Sequence, residues 1–208
     1  MVLRNCLDDR AATVVADTSV IINLNATGCA EAILRALPNR CLVVEDVSLE
    51  LQIGRKTGRT DADALAVLIE RQLVEQTLLG DTGTSHFATL VSGSAAETVD
   101  DGEAATIACA IERSAVALVD ERKAVRICAE RFPNLTVGCT VDLLAQRDVQ
   151  AALGTLLADV VLNALAHGRM RVPERYGQWV VDLIGKERAA MCRSLAKRFR
   201  TPGRPQTR

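Results

Sequence analysis

Short, unbroken apolar runs constrain the fold of this chain more than any other feature. TVVAD (13–17), CLVVE (41–45), AVALVD (115–120) and LTVGC (135–139) are too brief for buried helices and are rich in β-branched residues. Between them lie longer stretches with apolar residues at helical spacing: GCAEAILRALPNR, TDADALAVLIERQLVEQT, DDGEAATIACAIERS and ERKAVRICAERF, the last stopped by Pro133. Strands without polar alternation are buried on both faces, and alternation of strand and helix puts helices on those faces. The expectation is an α/β fold, a three-layer α/β/α arrangement with a short, mostly parallel sheet of four or five strands.

The rest of the chain fills in around that frame. Residues 80–99, rich in Gly, Thr and Ser, read as a loop with one strand at FATLV. TVDLLAQRD reads as a helix capped by Thr140, and GTLLADVVLNALAHG as an amphipathic helix ended by Gly168. PERYGQWVVDLIGKERAAMCRSLAKRF adds one or two more helices, and TPGRPQTR reads as disordered. The resulting division is a core domain over 1–150, a helical extension over 151–186 packed on it, and a basic, partly disordered tail over 187–208.

Composition excludes several classes. Aromatic residues make up only 2% of the 208, so the core must be built from Ala, Val, Leu and Ile. No wholly apolar run approaches the ~20 residues that span a bilayer, and MVLRNCLDDR does not resemble a secretory signal, so a cytoplasmic protein without a membrane partner is expected. The seven cysteines are scattered without CxxC pairs, against a disulfide framework and against zinc. His86, in the polar stretch GDTGTSHFATL, reads as solvated, and neither it nor His167 has a partner at ligand spacing. From Lys186 onward eight basic residues face Glu187 alone, a net +7 against −8 for the preceding chain. That asymmetry fits either a solvated terminus or a tail that binds polyanions.

Ligands of open α/β sheets sit beyond the carboxyl ends of the strands. Asp17 ends the first apolar run and Asp120 the third; Glu50 in VSLELQI lies just beyond the second, and Glu103 opens the helix before the third. Four carboxylates converging on one rim repel one another unless a cation sits among them, and oxygen ligands suit Mg²⁺ or Mn²⁺. Acids at helix starts are also favoured by capping and the macrodipole, which accounts for Asp100, Asp101 and Glu103 taken singly. Thr18 and Ser19 offer hydroxyls beside Asp17. Thr140 lies at the same rim or simply caps its helix, and Asn23 reads as a packing polar residue.

In this order, VVADTSVIINL, the acid of SLEL, GEAATIACA and ALVDERKAVRICAE resemble a PIN domain, the fold of many metal-dependent ribonucleases. The resemblance runs from about Thr13 to Leu144. The GEA form and the tail starting GTLLADVV are similar to a bacterial subgroup with a helical pair after the core, extending it to about Lys186. The resemblance implies Asp17, Glu50, Glu103 and Asp120 as the catalytic acids, with Asp17, Glu103 and Asp120 on the metal. Glu45 rivals Glu50 for the second place and Asp101 rivals Glu103 for the third. One or two Mg²⁺ or Mn²⁺ ions would then serve an endoribonuclease, with Asp17 as central bridge and Glu50 as outer ligand or proton acceptor. RNA phosphates would meet Thr18, Ser19, Arg122, Lys123 and Thr140, with GRKTGR (Arg55, Lys56, Arg59) either a phosphate clamp or a solvated loop.

Many relatives of this kind resemble VapC-type toxins, which implies an antitoxin partner and a homodimer. DALAVLIERQLVEQ could supply a dimer face, although core packing leaves the same pattern. A non-catalytic PIN-like binding or scaffold module is the alternative. A receiver domain needs paired acids after the first strand and a late Lys, and a haloacid-dehalogenase-type phosphatase needs Asp where Ser19 stands.

Overall fold

A computed structural model describes residues 5–168 and 170–200. Its centre is a five-stranded sheet: β1 (Val14–Ala16), β2 (Cys41–Val44), β3 (Glu75–Thr77), β4 (Val116–Leu118) and β5 (Val137–Gly138). The order is β3-β2-β1-β4-β5 and every neighbouring pair is parallel. Around it run α1 (Thr18–Ala26), α2 (Ala30–Ala36), α3 (Glu45–Arg55), α4 (Asp61–Glu70), α5 (Asp81–Val91), α6 (Asp101–Glu112) and α7 (Arg122–Arg131). After β5 come α8 (Thr140–Leu144), α9 (Arg147–Leu153), α10 (Leu157–Asn163), α11 (Gly177–Ile184), α12 (Lys186–Met191) and α13 (Lys197–Arg200).

The strands alternate between two cores, as the pleat requires. Val14, Ala16, Cys41, Val43, Val116 and Leu118 point into one core with residues of α1, α2, α4 and α8–α12. Val15, Leu42, Val44, Ala117 and Val119 point into the other, with α6, α7 and Leu90 of α5. The three-layer α/β/α expectation is what the chain adopts. From Gly102 to Ala110 only Glu103 is not fully buried, and the small side chains of α6 let that helix pack tightly between the sheet and α5.

Two local expectations are corrected. FATLV is not a strand: it belongs to α5, whose Phe87, Leu90 and Val91 recur at helical spacing against α6 and the sheet. Its N-terminus is closed by Glu112, whose carboxylate accepts the N–H groups of Gly80 (3.0 Å) and Gly83 (2.8 Å). The extra strand lies instead at Glu75–Thr77, which the sequence reading includes in the helix TDADALAVLIERQLVEQT. The chain leaves α4 through Gln72, held at φ +58°, and pairs with β2, from Leu42↔Glu75 to Val44↔Thr77. Glu75 is exposed and ion-paired with Arg40, so this edge carries charge outward.

The C-terminal elements do not form a separate layer or a loose tail. Val160, Leu165, Tyr176, Val180, Ile184, Ala189, Cys192 and Leu195 lie in the same core as β1, so residues past 187 are packed as far as Leu195. The basic side chains there are partly engaged, Arg188 with Asp159 and Arg198 with Glu174. TPGRPQTR lies outside the described residues. The helical run 147–168 is long and apolar enough to cross a bilayer by length and composition, unlike the sequence expectation. Its Val149, Leu153, Leu157, Val160 and Val161 are buried in the core. All seven cysteines are free thiols. His86 is not in a loop but on α5, edge-on to the Phe132 ring at 5.9 Å.

Candidate active site

Strand order reverses between β1, the central strand, and its neighbour β4, and a parallel sheet opens a crevice at the carboxyl ends of such a pair. The register sets Ala16 beside Leu118, so the residues that follow, Asp17 and Asp120, emerge next to each other. They line a cleft of 850 Å³ together with Glu50, Glu103, Asn23 and Arg171. All four predicted acids therefore reach one cavity. Glu45 and Asp101, on the exposed first turns of α3 and α6, are not among its lining residues.

Asp17 is 1% exposed and serves two roles at once. Its Oδ1 accepts the Val20 N–H at 2.8 Å, capping α1, and the Ser19 hydroxyl donates to it at 2.9 Å. Burial, then the nearby Asp120 charge, pushes its carboxyl well above the ordinary range, and Glu103 adds to this. Asp120 sits two residues past β4 and is gripped from three sides. The Thr140 N–H donates at 2.9 Å, the Thr140 hydroxyl at 2.5 Å and the Asn23 amide at 2.6 Å. Burial still carries its carboxyl upward, against those three hydrogen bonds.

Glu50 and Glu103 are held more lightly. Glu50, exposed on α3, accepts the Thr18 hydroxyl at 2.6 Å. The backbone of Gly102 passes so close that a Cβ there would lie 2.3 Å from Glu50 Oε2, which gives the GEA glycine a steric reason. Glu103 accepts the Asp100 N–H at 3.4 Å, the contact expected of an acid in a helix's first turn, and burial pushes its carboxyl to about 7.

Other predicted residues fall differently. Thr140 is fully buried and both of its donors point to Asp120, so it reaches the acid and not a substrate; Cys139 is the residue that precedes its helix as cap. Arg55 and Arg59 pair with Asp63 and Asp61, and of the GRKTGR cations only Arg59 lines the acid cleft. Arg122 is exposed at the start of α7, and Lys123 lies close enough for its charge to oppose the rise at Glu103.

Sequence reasoning missed two participants, Asp142 and Arg171, and read a third, Asn23, only as a packing polar residue. Asn23 is 3% exposed and faces Asp120 from α1, with its Oδ1 unbonded. A polar residue inside the apolar VIINL stripe was the available signal. Asp142 is a buried hub that accepts from Tyr176 (2.6 Å), Arg175 (2.7 Å) and the Cys139 N–H (2.9 Å). Arg171, from the C-terminal extension, donates to the Asp120 carbonyl at 3.4 Å. Nothing in the residues around Asp142 or Arg171 announces contacts so distant in sequence.

Among the described residues, none of the four acids is paired with a guanidinium. Nor do three carboxylate, His or Cys side chains converge as ligands of one point. The donor chemistry nevertheless fits a hard divalent cation. Six carboxylates line the cleft, counting Asp100 and Glu121, and burial with repulsion from neighbouring acids raises Asp17, Glu103 and Asp120 above the ordinary carboxylate range.

The chain is an α/β protein with a parallel sheet whose β1/β4 crevice gathers carboxylates. A family model described as a PIN domain matches residues 13–186, and the chain belongs to that family. Membership supports a nuclease-type function in general, and divalent metals are typical of the family. No curated protein and no solved structure matches the chain.

Proposed function

We propose that this protein is a Mg²⁺- or Mn²⁺-dependent endoribonuclease. The observation that carries the reading is the meeting of Asp17, Glu50, Glu103 and Asp120 in one cleft, with none of their carboxylates ion-paired to a guanidinium among the described residues. An RNA phosphate cannot approach six carboxylates unless positive charge intervenes. Asp17, Glu103 and Asp120 would hold the ion. When bound, a divalent cation acidifies water and offsets the charge that builds on phosphorus.

The side chains have distinct tasks in this reading. Ser19 and the Val20 N–H fix the Asp17 carboxylate, and Thr140 with Asn23 fixes Asp120, so neither acid must reorganise during the reaction. Glu50, the one exposed acid of the four, takes the proton released by the attacking water. The test is cleavage of single-stranded RNA with Mg²⁺ or Mn²⁺, silenced by EDTA and by Asp17→Asn. A wild-type protein that binds RNA without cutting it would instead be a scaffold or binding module. The finer placement, as a toxin held by an antitoxin, rests on the VapC resemblance alone. Growth arrest on expression that Asp17→Asn relieves is the measurement for it.

A further inference from the structure

A second, smaller cavity of 150 Å³ adjoins the acid cleft and shares Asp120 and Arg171 with it. Arg122 and Arg175 line it too, and Val125 and Pro173 contribute apolar wall. Its volume corresponds to about five waters at ~30 Å³ each, room for a phosphate group.

The three arginines are not equivalent. Arg175 is committed to Asp142 at 2.7 Å. Arg171 is anchored through one nitrogen to the Asp120 carbonyl. Among the described residues, neither Arg122 nor Arg171 has a carboxylate within ion-pair distance, whereas Arg10, Arg35, Arg40, Arg55 and Arg59 all do. Arg122 and Arg171 stand close enough for their charges to repel; Glu121 and Asp120 are near Arg171, but neither arginine is ion-paired among the described residues, and an apolar wall backs them. Planar guanidiniums suit the oxygens of a phosphodiester, and apolar walls strengthen the attraction.

We infer that Arg122 and Arg171 form a subsite for an RNA backbone phosphate neighbouring the one that enters the acid cleft. This rests on the ribonuclease reading for its ligand. It gives the C-terminal extension a direct part in substrate binding, because Arg171 lies beyond the β5–α8 end of the sheet domain.

The experiment is a fluorescence-anisotropy titration of a labelled single-stranded RNA oligonucleotide with Ca²⁺ in place of Mg²⁺ or Mn²⁺, over a series of KCl concentrations. Arg171→Gln is expected to weaken binding several-fold whatever the base sequence. It should also reduce the slope of log K against log[KCl] by about 0.7, one single-strand phosphate contact. Arg122→Gln should act alike, and Arg171→Lys should keep the slope while losing part of the affinity. Arg35→Gln, whose guanidinium pairs with Glu31, should leave both unchanged. A wild-type slope and affinity in Arg171→Gln, or no RNA binding by the wild type, overturns the subsite. Cleavage in Mn²⁺ is read separately: a protein that does not cut but shows the slope change keeps the subsite and loses the nuclease reading. A protein that cuts with an unchanged slope does the reverse.

Discussion

The cleft has two halves built to different standards. Asp17 and Asp120 follow central strands, are almost completely buried and are held by several donors each. Glu50 and Glu103 come from helices, are more open, and each accept one hydrogen bond among the described residues. Strand ends locked by register suit atoms whose position must not vary, and helix-borne glutamates with longer side chains suit groups that adjust as substrate arrives. The contrast predicts a hierarchy of sensitivity.

The largest effect should come from the rigid half. Asp17→Asn keeps a good N-cap for α1 but removes the charge. Cleavage should fall by at least about 10³-fold, while melting is unchanged or slightly higher at pH 8, since a buried carboxyl with a raised pKa is replaced by a neutral group. Normal turnover in this variant would remove the acid from the mechanism and with it the distinction between the halves.

One step outward, Thr140→Val deletes the hydroxyl on Asp120 and leaves the Thr140 N–H in place. Loss of a residue that orients a metal-binding acid typically costs 10- to 100-fold, and the lost hydrogen bond about 1–2 kcal/mol of stability. A rate loss matched by loss of Mn²⁺ affinity would identify positioning; a stability loss with unaltered kinetics would make Thr140 purely structural.

The more open half should give less. Gly102→Ala introduces a Cβ into the Glu50 carboxylate, which can swing away because it ends a flexible side chain. Breaking the Thr18–Glu50 contact this way should slow cleavage about tenfold with little change in melting temperature. Glu45→Gln serves as the contrasting control, and a greater loss there would return the second acid to Glu45.

The same division explains what the sequence revealed. The rigid acids were legible because strand ends are: a buried apolar run that stops at Asp17 or Asp120 declares both its element and its edge. Glu50 and Glu103 were legible as members of the set and less so singly: helix starts collect acids for capping alone, Glu103 does make a capping contact, and Glu50 had Glu45 as a rival. β3 was hidden because Glu75-Gln76-Thr77 is polar and takes strand form through pairing with β2, a contact no local pattern encodes. Arg171 and Asp142 were hidden for a related reason: their partners Asp120 and Tyr176 lie 51 and 34 residues away. Thr140 was placed at the right rim but credited with facing substrate, because adjacency in sequence does not say which way a hydroxyl turns.

The smallest effect is a pH dependence that separates Glu103 from an ordinary capping acid. Its carboxyl moves from the ordinary 4.5 to about 7, chiefly by burial, so between those values the folded chain holds a proton that the unfolded chain has released. Folding stability in EDTA must then be greatest below about pH 4.5 for this group and decline as pH rises towards 7. Because the side chain is partly solvated, its share is discounted to on the order of 1 kcal/mol. Asp17 and Asp120 contribute with the same sign, so the wild-type slope exceeds the share of Glu103 alone. Glu103→Gln keeps an acceptor for the Asp100 N–H and should flatten the decline of urea midpoints between pH 5 and 7. Divalent ion should flatten the wild-type decline as well, by favouring the ionised acids. If the two proteins run parallel across that range without metal, Glu103 is already ionised there, and the adjustable half of the cleft carries less strain than its burial implies.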